Sequence, residues 1–298
     1  MSLRHLDSAG VVVTVAMPIY NAGAHLRLAV LSIVAQTFER WELVIIDDGS
    51  TDNALQTIAD IRDPRIRIFR DGKNKGLAVR LNEACAIAIG QYLARMDQDD
   101  VSYPERLRLQ VEALQADPGL DLVAGRAIII DENNGHAGMF AFAGTHAEIC
   151  AQPWRGFVFP HPAWMGRIEW FLKHRYAEPA PYFCEDQELL LRTYRQSRFL
   201  ALDRVVLAYR IRAGVNWAKL AATRRAMLAM QWRLFGASAM WRQAMLALLA
   251  YFAKSGLDLL QRTSDADAAQ GGSPLDVGVA GEWTRILGRL ELSHPQRT

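Results

Sequence analysis

Cysteine is scarce in this 298-residue chain: Cys85, Cys150 and Cys184 are the three, and no two stand at a short spacing. That argues against a disulfide framework or a zinc site and makes a reducing compartment the default. Charge of one sign is also lacking, since 34 Lys and Arg face 32 Asp and Glu for a net charge of +2. A chain whose main partner is nucleic acid would carry a stronger basic balance, so none is expected. Long hydrophobic runs are missing as well. The most apolar late stretch, Ala237 to Ala253, is broken by Arg242 and Gln243 and falls short of the ~20 residues a spanning helix needs. The N-terminus has no apolar run and cleavage site of the signal type, so the expected location is cytoplasmic.

What is present is a composition of 51% apolar and 22% charged residues, enough to bury a sizeable core. The charges are unevenly placed. Acidic clusters lie in the first two thirds, whereas the stretch from Arg204 to Arg262 is basic with Asp258 as its one acid.

A β-branched apolar stretch from Val11 to Met17, stopped by Pro18, reads as a buried strand. Helical spacing follows over His25 to Gln36, then a second buried strand over Trp41 to Ile46. The alternation continues with a helix over Leu55 to Ile61, a strand over Ile66 to Phe69, a helix over Leu77 to Ile89 and a strand over Tyr92 to Met96. Such βαβ repetition implies an α/β fold with a mostly parallel central sheet flanked by helices, with ligands outside the C-terminal strand ends. A helix from Pro104 to Gln115 and a strand from Leu122 to Ile130 complete the first half, and the segment to Pro162 has no clear period. A helix over Glu185 to Arg195 and a strand over Val205 to Tyr209 precede a C-terminal region that reads as helix from Trp217 onward. Positions 263–281, rich in Ser, Asp, Ala and Gly, read as a flexible linker.

Three acidic clusters stand at element ends. Asp97-Gln98-Asp99-Asp100 ends an apolar strand, and its three carboxylates repel one another unless a cation sits between them. Mg²⁺ or Mn²⁺, which takes one or two carboxylates plus substrate phosphates, is the simplest candidate. The bland alternative is a solvated acidic turn before a helix. Asp47-Asp48-Gly49-Ser50-Thr51-Asp52 reads as a turn and cap in which Ser50 or Thr51 accepts from the first helical amides. Two adjacent acids exceed what a cap needs, and one could accept from a nucleobase imide or ribose hydroxyls. An aspartyl-phosphate hydrolase signature fails, because Ile45 and Ile46 stand two before Asp47 and Asp48. Glu185-Asp186 opens a helix beside Phe183 and Cys184. Acids there suit the helix dipole, and in a partly apolar setting one could serve as a general base.

In this order and with these gaps the clusters resemble the family 2 inverting glycosyltransferases with the GT-A nucleotide-sugar-binding fold, of the type that assembles bacterial surface polysaccharide. The carriers run from Val11 to about Arg212. They include Val15 to Asn21, Ser32 to Thr37, Glu42 to Asp52, Asn74 to Leu77, Gly90 through Asp100, and Glu185-Asp186 with Leu189 and Arg192. The resemblance implies a catalytic domain over 1–212, with a nucleotide-sugar half over about 11–130 and an acceptor half over about 131–212. A helical extension follows over 213–298. It further implies that Pro18, Tyr20, Asn21 and Asp48 flank the nucleotide, with Arg80, Asn82 and Asp97 also reaching it. Asp97 and Asp99 would hold Mn²⁺ or Mg²⁺ with Asp100 supporting or joining them. Asp186 would be the catalytic base, Glu185 would orient the acceptor, and His161 and Arg167 would belong to the acceptor site.

The implied reaction is metal-dependent inverting transfer from a nucleoside-diphosphate sugar, a UDP-sugar by resemblance, to a hydroxyl of a saccharide or lipid-linked saccharide in cell-surface glycan synthesis, lipopolysaccharide included. Two alternatives stand beside it. A nucleotidyltransferase would carry a basic Gly-rich loop after the first strand, where this chain has Pro18 to Gly23 with His25 as the nearest base. A non-catalytic nucleotide-sugar-binding module has no need of all three acids. The basic segment 217–253 reads either as helices packed on the catalytic domain or as an amphipathic surface for peripheral contact with the inner face of a membrane.

Overall fold

A computed structural model describes residues 10–211, 214, 216–263 and 273–293. Its first half alternates strand and helix: β1 (Val13–Ile19), α1 (His25–Val34), β2 (Trp41–Asp47), β3 (Ile66–Arg70), α2 (Leu77–Ile87) and β4 (Tyr92–Arg95). Both β1 and β2 are buried at every position, which is why they read as continuous apolar runs. Pro18 does not end β1, which pairs with β2 through Ile19. β4 pairs only as far as Ala16, so the N–H that proline lacks falls where β1 has no neighbour on that side. The expected helix at Leu55 to Ile61 is a single 3₁₀ turn, Ala54–Ile58. Arg27 clamps Asp60 with two hydrogen bonds of 2.6 and 2.9 Å just beyond it, and Pro64 follows.

The second half contains β5 (Val101–Ser102), α3 (Arg106–Ala116), β6 (Leu122–Ile130), β7 (His136–Met139), α4 (His146–Ile149), β8 (Met165–Arg167), α5 (Ile168–Lys173), α6 (Glu185–Thr193) and β9 (Phe199–Arg210). Strand order is β3-β2-β1-β4-β8-β6-β9-β5, with β7 on β6. The β3-β2-β1-β4 half is parallel, whereas β8, β5 and β7 pair antiparallel to their neighbours. β9 is longer than its sequence pattern because irregular register opposite Gly125 to Ala127 lets the exposed Asp203 and Arg204 interrupt the apolar run.

Helices α7 (Trp217–Ala237), α8 (Trp241–Thr263) and α9 (Val277–Ser293) complete the described chain. α7 lies on the core of the sheet: Met230 and Phe235 are buried in it, and Gln231 donates to the carbonyls of Pro153 and Trp154. The residues expected as a linker end earlier than 281. Positions 264–272 lie outside the described residues, Ser273 bridges to Met139, and α9 begins at Val277. α9 returns to the sheet, with Trp283 stacked on Tyr103 at 6.4 Å and donating to the Asn134 carbonyl at 2.9 Å. Among the described residues no helix is long and apolar enough to cross a membrane.

Candidate active site

The exits of β1, β2 and β4 lie side by side because the three strands are adjacent and parallel, so all three acidic or aromatic exits open at one edge. A cavity of about 730 Å³ opens there, lined among others by Pro18, Tyr20, Asp48, Asp97, Asp99 and Arg210. Its floor is held by interlocking loops. Gln98 accepts from the Tyr20 amide at 2.6 Å and donates to the Tyr20 carbonyl at 3.1 Å, fastening the β4 exit to the β1 exit. Asp48, 5% exposed, accepts from the amides of Lys75 and Gly76 and from Arg80 Nε at 2.7, 3.0 and 2.8 Å. One acceptor position on its Oδ2 is left for a ligand. Gly49 lies at a close approach of these loops: a Cβ there would stand 2.9 Å from the Lys73 carbonyl carbon, and its φ is +78°.

Several sequence expectations are corrected at this site. Asn21 is a loop stitch: its Oδ1 accepts from the amides of Thr51 and Asp52 at 2.8 and 3.3 Å, so its side chain joins the β1 and β2 exits. Ser50 does not cap a helix. Its Oγ accepts from the Asn21 amide, and Asp52 takes the first amide of the 3₁₀ turn. Arg80 is 2% exposed and engaged by Asp48, Asp71 and Glu83, so it braces Asp48 from behind and does not face a nucleotide. Asn82 bonds the Tyr176 backbone at both its oxygen and nitrogen, 3.0 Å each, and ties α2 to the segment after α5. Arg167 donates to the carbonyls of Leu120 and Leu114 at 2.9 and 2.7 Å, which makes it a fastening for the α3–β6 connection.

The Asp97–Asp100 turn divides by burial. Asp97 is ion-paired with Arg95 at 2.6 Å, in a geometry that leaves Arg95 Nε and Nη1 without a hydrogen-bond partner. Asp100 is 1% exposed; its Oδ1 accepts from the Arg210 amide at 2.8 Å, and its Oδ2 is buried without a partner. Burial first, and the charges of Asp97 and Asp99 next, raise its pKa well above the usual carboxylate range. Asp100 thus anchors the turn through Arg210 and also lines the cavity. Arg210, which also donates to the Asp99 carbonyl and to Asn134, locks the turn to the loop after β6. Among the described residues no cluster of three or more His, Cys, Asp or Glu is arranged to hold a metal ion. The carboxylates that line the open cavity are Asp48, Asp97, Asp99 and Asp100, of which Asp97 and Asp99 form an Asp-x-Asp pair. That hard-oxygen pair fits a Mg²⁺ or Mn²⁺ whose remaining ligands come from a diphosphate.

A second cavity, of about 690 Å³, lies between the 148–158 segment, the start of α6, α7 and α8. Asp186 lines it, and Phe183 lines both cavities, so the two meet at the N-terminus of α6. Phe183 is held at φ +47° with the Lys219 ammonium 3.8 Å from its ring centre. Asp186 accepts from Gln187 Nε2 at 3.1 Å, and Gln187 in turn accepts from the Phe157 amide at 2.8 Å. Burial raises the Asp186 pKa, with the Gln187 bond opposing. Glu185 is pushed up to about 7 by burial and by Asp186, with Arg95 opposing. His161 lies behind Glu185, its Nδ1 3.9 Å from the carboxylate and its Nε2 2.7 Å from the Tyr176 hydroxyl. Burial, then Arg95, keeps that imidazole neutral, so His161 is a buried neighbour of Glu185 and touches neither cavity.

Sequence reasoning missed Arg95, Gln98, Phe183, Arg210 and Lys219. Gln98, Arg95 and Phe183 carried a signal, standing within or beside an acidic cluster; Arg210 and Lys219 enter from distant segments.

The family model for glycosyl transferase family 2 matches residues 14–175. Over 143 residues the chain is 31% identical to the glycosyltransferase GlyG of Streptococcus pneumoniae, covering 47% of this chain and 46% of that one. Over 122 residues it is 31% identical to the UDP-Glc:alpha-D-GlcNAc-diphosphoundecaprenol beta-1,3-glucosyltransferase WfgD of Escherichia coli, covering 41% and 48%. The alignments thus span about half the length of these curated relatives. Among solved structures, S. aureus TarS in complex with UDP-GlcNAc superposes with a TM-score of 0.63 at 17% identity, over 96% of this chain and 82% of that one. That likeness carries the fold, a mixed sheet flanked by helices with a helical C-terminus, and the matched motifs carry the kinship: the chain belongs to glycosyl transferase family 2.

Proposed function

We propose that the protein is a metal-dependent inverting glycosyltransferase that moves a sugar from a UDP-sugar to a hydroxyl of a saccharide or lipid-linked saccharide in bacterial cell-surface glycan synthesis. The observation that carries this reading is the meeting of two cavities at the start of α6. One is lined by Asp48, Asp97 and Asp99, the other by Asp186. A nucleotide and an acceptor can therefore approach one point from opposite sides. The relative WfgD, named for UDP-Glc, and the TarS complex with UDP-GlcNAc support a uridine nucleotide.

In this reading Tyr20 and the open acceptor position on Asp48 receive the base. Asp97 and Asp99 hold Mn²⁺ or Mg²⁺, which supplies neutralisation of the charge developing on the departing diphosphate. Asp186 accepts the proton of the acceptor hydroxyl as that oxygen attacks the anomeric carbon, and UDP leaves on the far side. One displacement inverts the anomeric configuration. Gln187 holds Asp186 in place, and Glu185, backed by His161, shapes the acceptor side. α8 supports a peripheral membrane contact: Trp241, Met245, Leu249, Phe252 and Leu260 form an exposed apolar stripe at helical spacing. The test is UDP release and product formation from a panel of UDP-sugars, with and without Mn²⁺, and the anomeric configuration of the product by NMR. A metal-independent reaction or a retained anomer overturns the proposal.

A further inference from the structure

The Asp97–Asp100 turn lies on a boundary between two cores. Met96, which precedes it, belongs to the main core, whereas Val101, which follows it, belongs to a second one with Tyr103, Ile128, Ile130 and Ala208. That second core is closed by α9, which supplies Trp283, Ile286 and Leu290. Trp283 also reaches the turn by a polar route. Its Nε1 donates to the Asn134 carbonyl at 2.9 Å, across 149 residues of chain, and the Asn134 side chain, on a backbone at φ +66°, accepts from Arg210 Nη2 at 2.8 Å. Arg210 is buried and directs its remaining donors to the same neighbourhood: Nη1 to the Asp131 carbonyl at 2.5 Å, Nε to the Asp99 carbonyl at 2.8 Å and its amide to Asp100 Oδ1 at 2.8 Å.

Two like-charged carboxylates splay unless they are braced from outside, and the outer groups that orient metal-ligating carboxylates govern how tightly the ion is held. Here the bracing comes from both cores. Asp97 is ion-paired with Arg95 of β4, and Asp99 is held through its backbone by Arg210, whose planar fork fixes direction as well as charge. Resting on the reading of Asp97 and Asp99 as metal ligands, we infer that Trp283, Asn134 and Arg210 are positioning residues for that pair, and that α9 thereby sets the affinity of the site for a metal-bound nucleoside diphosphate. Trp283 and Asn134 line neither cavity, so their influence on the donor travels through Arg210, which lines the donor side. None of the three lines the cavity that contains Asp186, which confines the effect to donor binding.

The test compares the full chain with Asn134→Gly/Trp283→Phe and with Asn134→Asp. Glycine adopts the positive φ while removing the side-chain acceptor, and phenylalanine keeps an aromatic ring against Tyr103 while removing the indole N–H. UDP binding in the presence of Mn²⁺, by calorimetry, should weaken about tenfold in the double variant, whereas Asn134→Asp, which keeps an acceptor oxygen, should bind like the wild type. Donor KM should rise in step, with kcat changed less. Hydrogen exchange without metal or nucleotide reports on the bracing itself: the 97–101 peptide should exchange faster in the double variant while β1 and α6 keep wild-type protection. Wild-type UDP affinity in the double variant, or faster exchange spread equally over β1 and α6, overturns the inference. UDP binding by the wild type with and without Mn²⁺ reports separately on the proposed function, so metal-independent binding counts against that reading while the exchange pattern still decides the bracing.

Discussion

At the scale of single residues the site is a set of carboxylates assigned different tasks by their surroundings. Asp186 and Glu185 are adjacent in sequence, yet only Asp186 lines the cavity and only Glu185 is backed by His161. Replacing Asp186 by Asn should reduce kcat by about 10³-fold, the range expected for loss of a general base, with UDP-sugar affinity nearly unchanged. Single-turnover kinetics and donor titration check it. Glu185 gives a second, independent prediction. Its folded pKa of about 7 stands above the ordinary 4.5, so the folded state binds this proton more tightly than the unfolded one. Stability on this account is greatest below about pH 4.5 and is lost as pH rises towards 7. Glu185→Gln should therefore gain on the order of 3 kcal/mol at pH 8 and nothing at pH 4. Urea denaturation at the two pH values decides this, and an equal effect at both would show that the residue does not titrate differently in the fold.

Elements owe their positions to a few close approaches. Gly90, between α2 and β4, lies against β1 so tightly that a Cβ would stand 2.6 Å from the Thr14 nitrogen and 2.7 Å from the Val13 carbonyl carbon, both backbone atoms that cannot turn aside. Gly90→Ala should cost about 2–4 kcal/mol and lower Tm by roughly 5–10 °C, read by thermal unfolding. The other element with a clear expectation is α8. Its outward residues are more than half exposed at Leu249 and Phe252. Leu249→Asp/Phe252→Asp should abolish sedimentation with anionic vesicles while leaving the fold intact; retained binding would assign membrane contact elsewhere or nowhere.

Much of this level was legible in the chain. β1, β2 and β6 are buried runs whose apolar residues announce them, and the helical spacing of α1, α2 and α6 is plain. Less legible were β9, whose exposed Asp203 and Arg204 break the pattern, and the 131–182 segment, whose short elements have too few residues to establish a period. The acidic clusters were readable as sites; which of their members reach a cavity was not. Asn82, Arg167 and Arg80 look like ligands in one dimension, and each is engaged by partners far along the chain, Asn82 and Arg80 buried and Arg167 half-buried.

For the whole molecule, the basic stretch from Arg204 to Arg262 resolves into several jobs. Arg210 braces the Asp97–Asp100 turn, Lys219 lies over Phe183, Arg224 and Lys254 line the cavity that Asp186 also lines, and Arg225 and Arg242 are exposed. The C-terminal helices are accordingly part of the site as well as of the surface. α9 extends this integration, since Trp283 is 2% exposed in a second core with Tyr103 and Ile128. Trp283→Ala should cost about 3–5 kcal/mol and shift a single cooperative transition. Separate unfolding of the C-terminal region would show instead that 213–298 is an independent unit.

The order and spacing of the acidic clusters, the parallel βαβ alternation and the family kinship follow from the sequence by itself, because each depends on neighbours within a few residues or on periodicity. The tertiary structure alone decided that two cavities adjoin at Phe183, that Asp100 is buried and anchored by Arg210 while Asp97 is half-buried, and that cations from three elements line the same cavity as Asp186. The reason is physical. A side chain's role depends on burial and on its partners, and here the partners come from afar, with Arg210 reaching Asp100 across 110 residues and Asn82 reaching Tyr176 across 94.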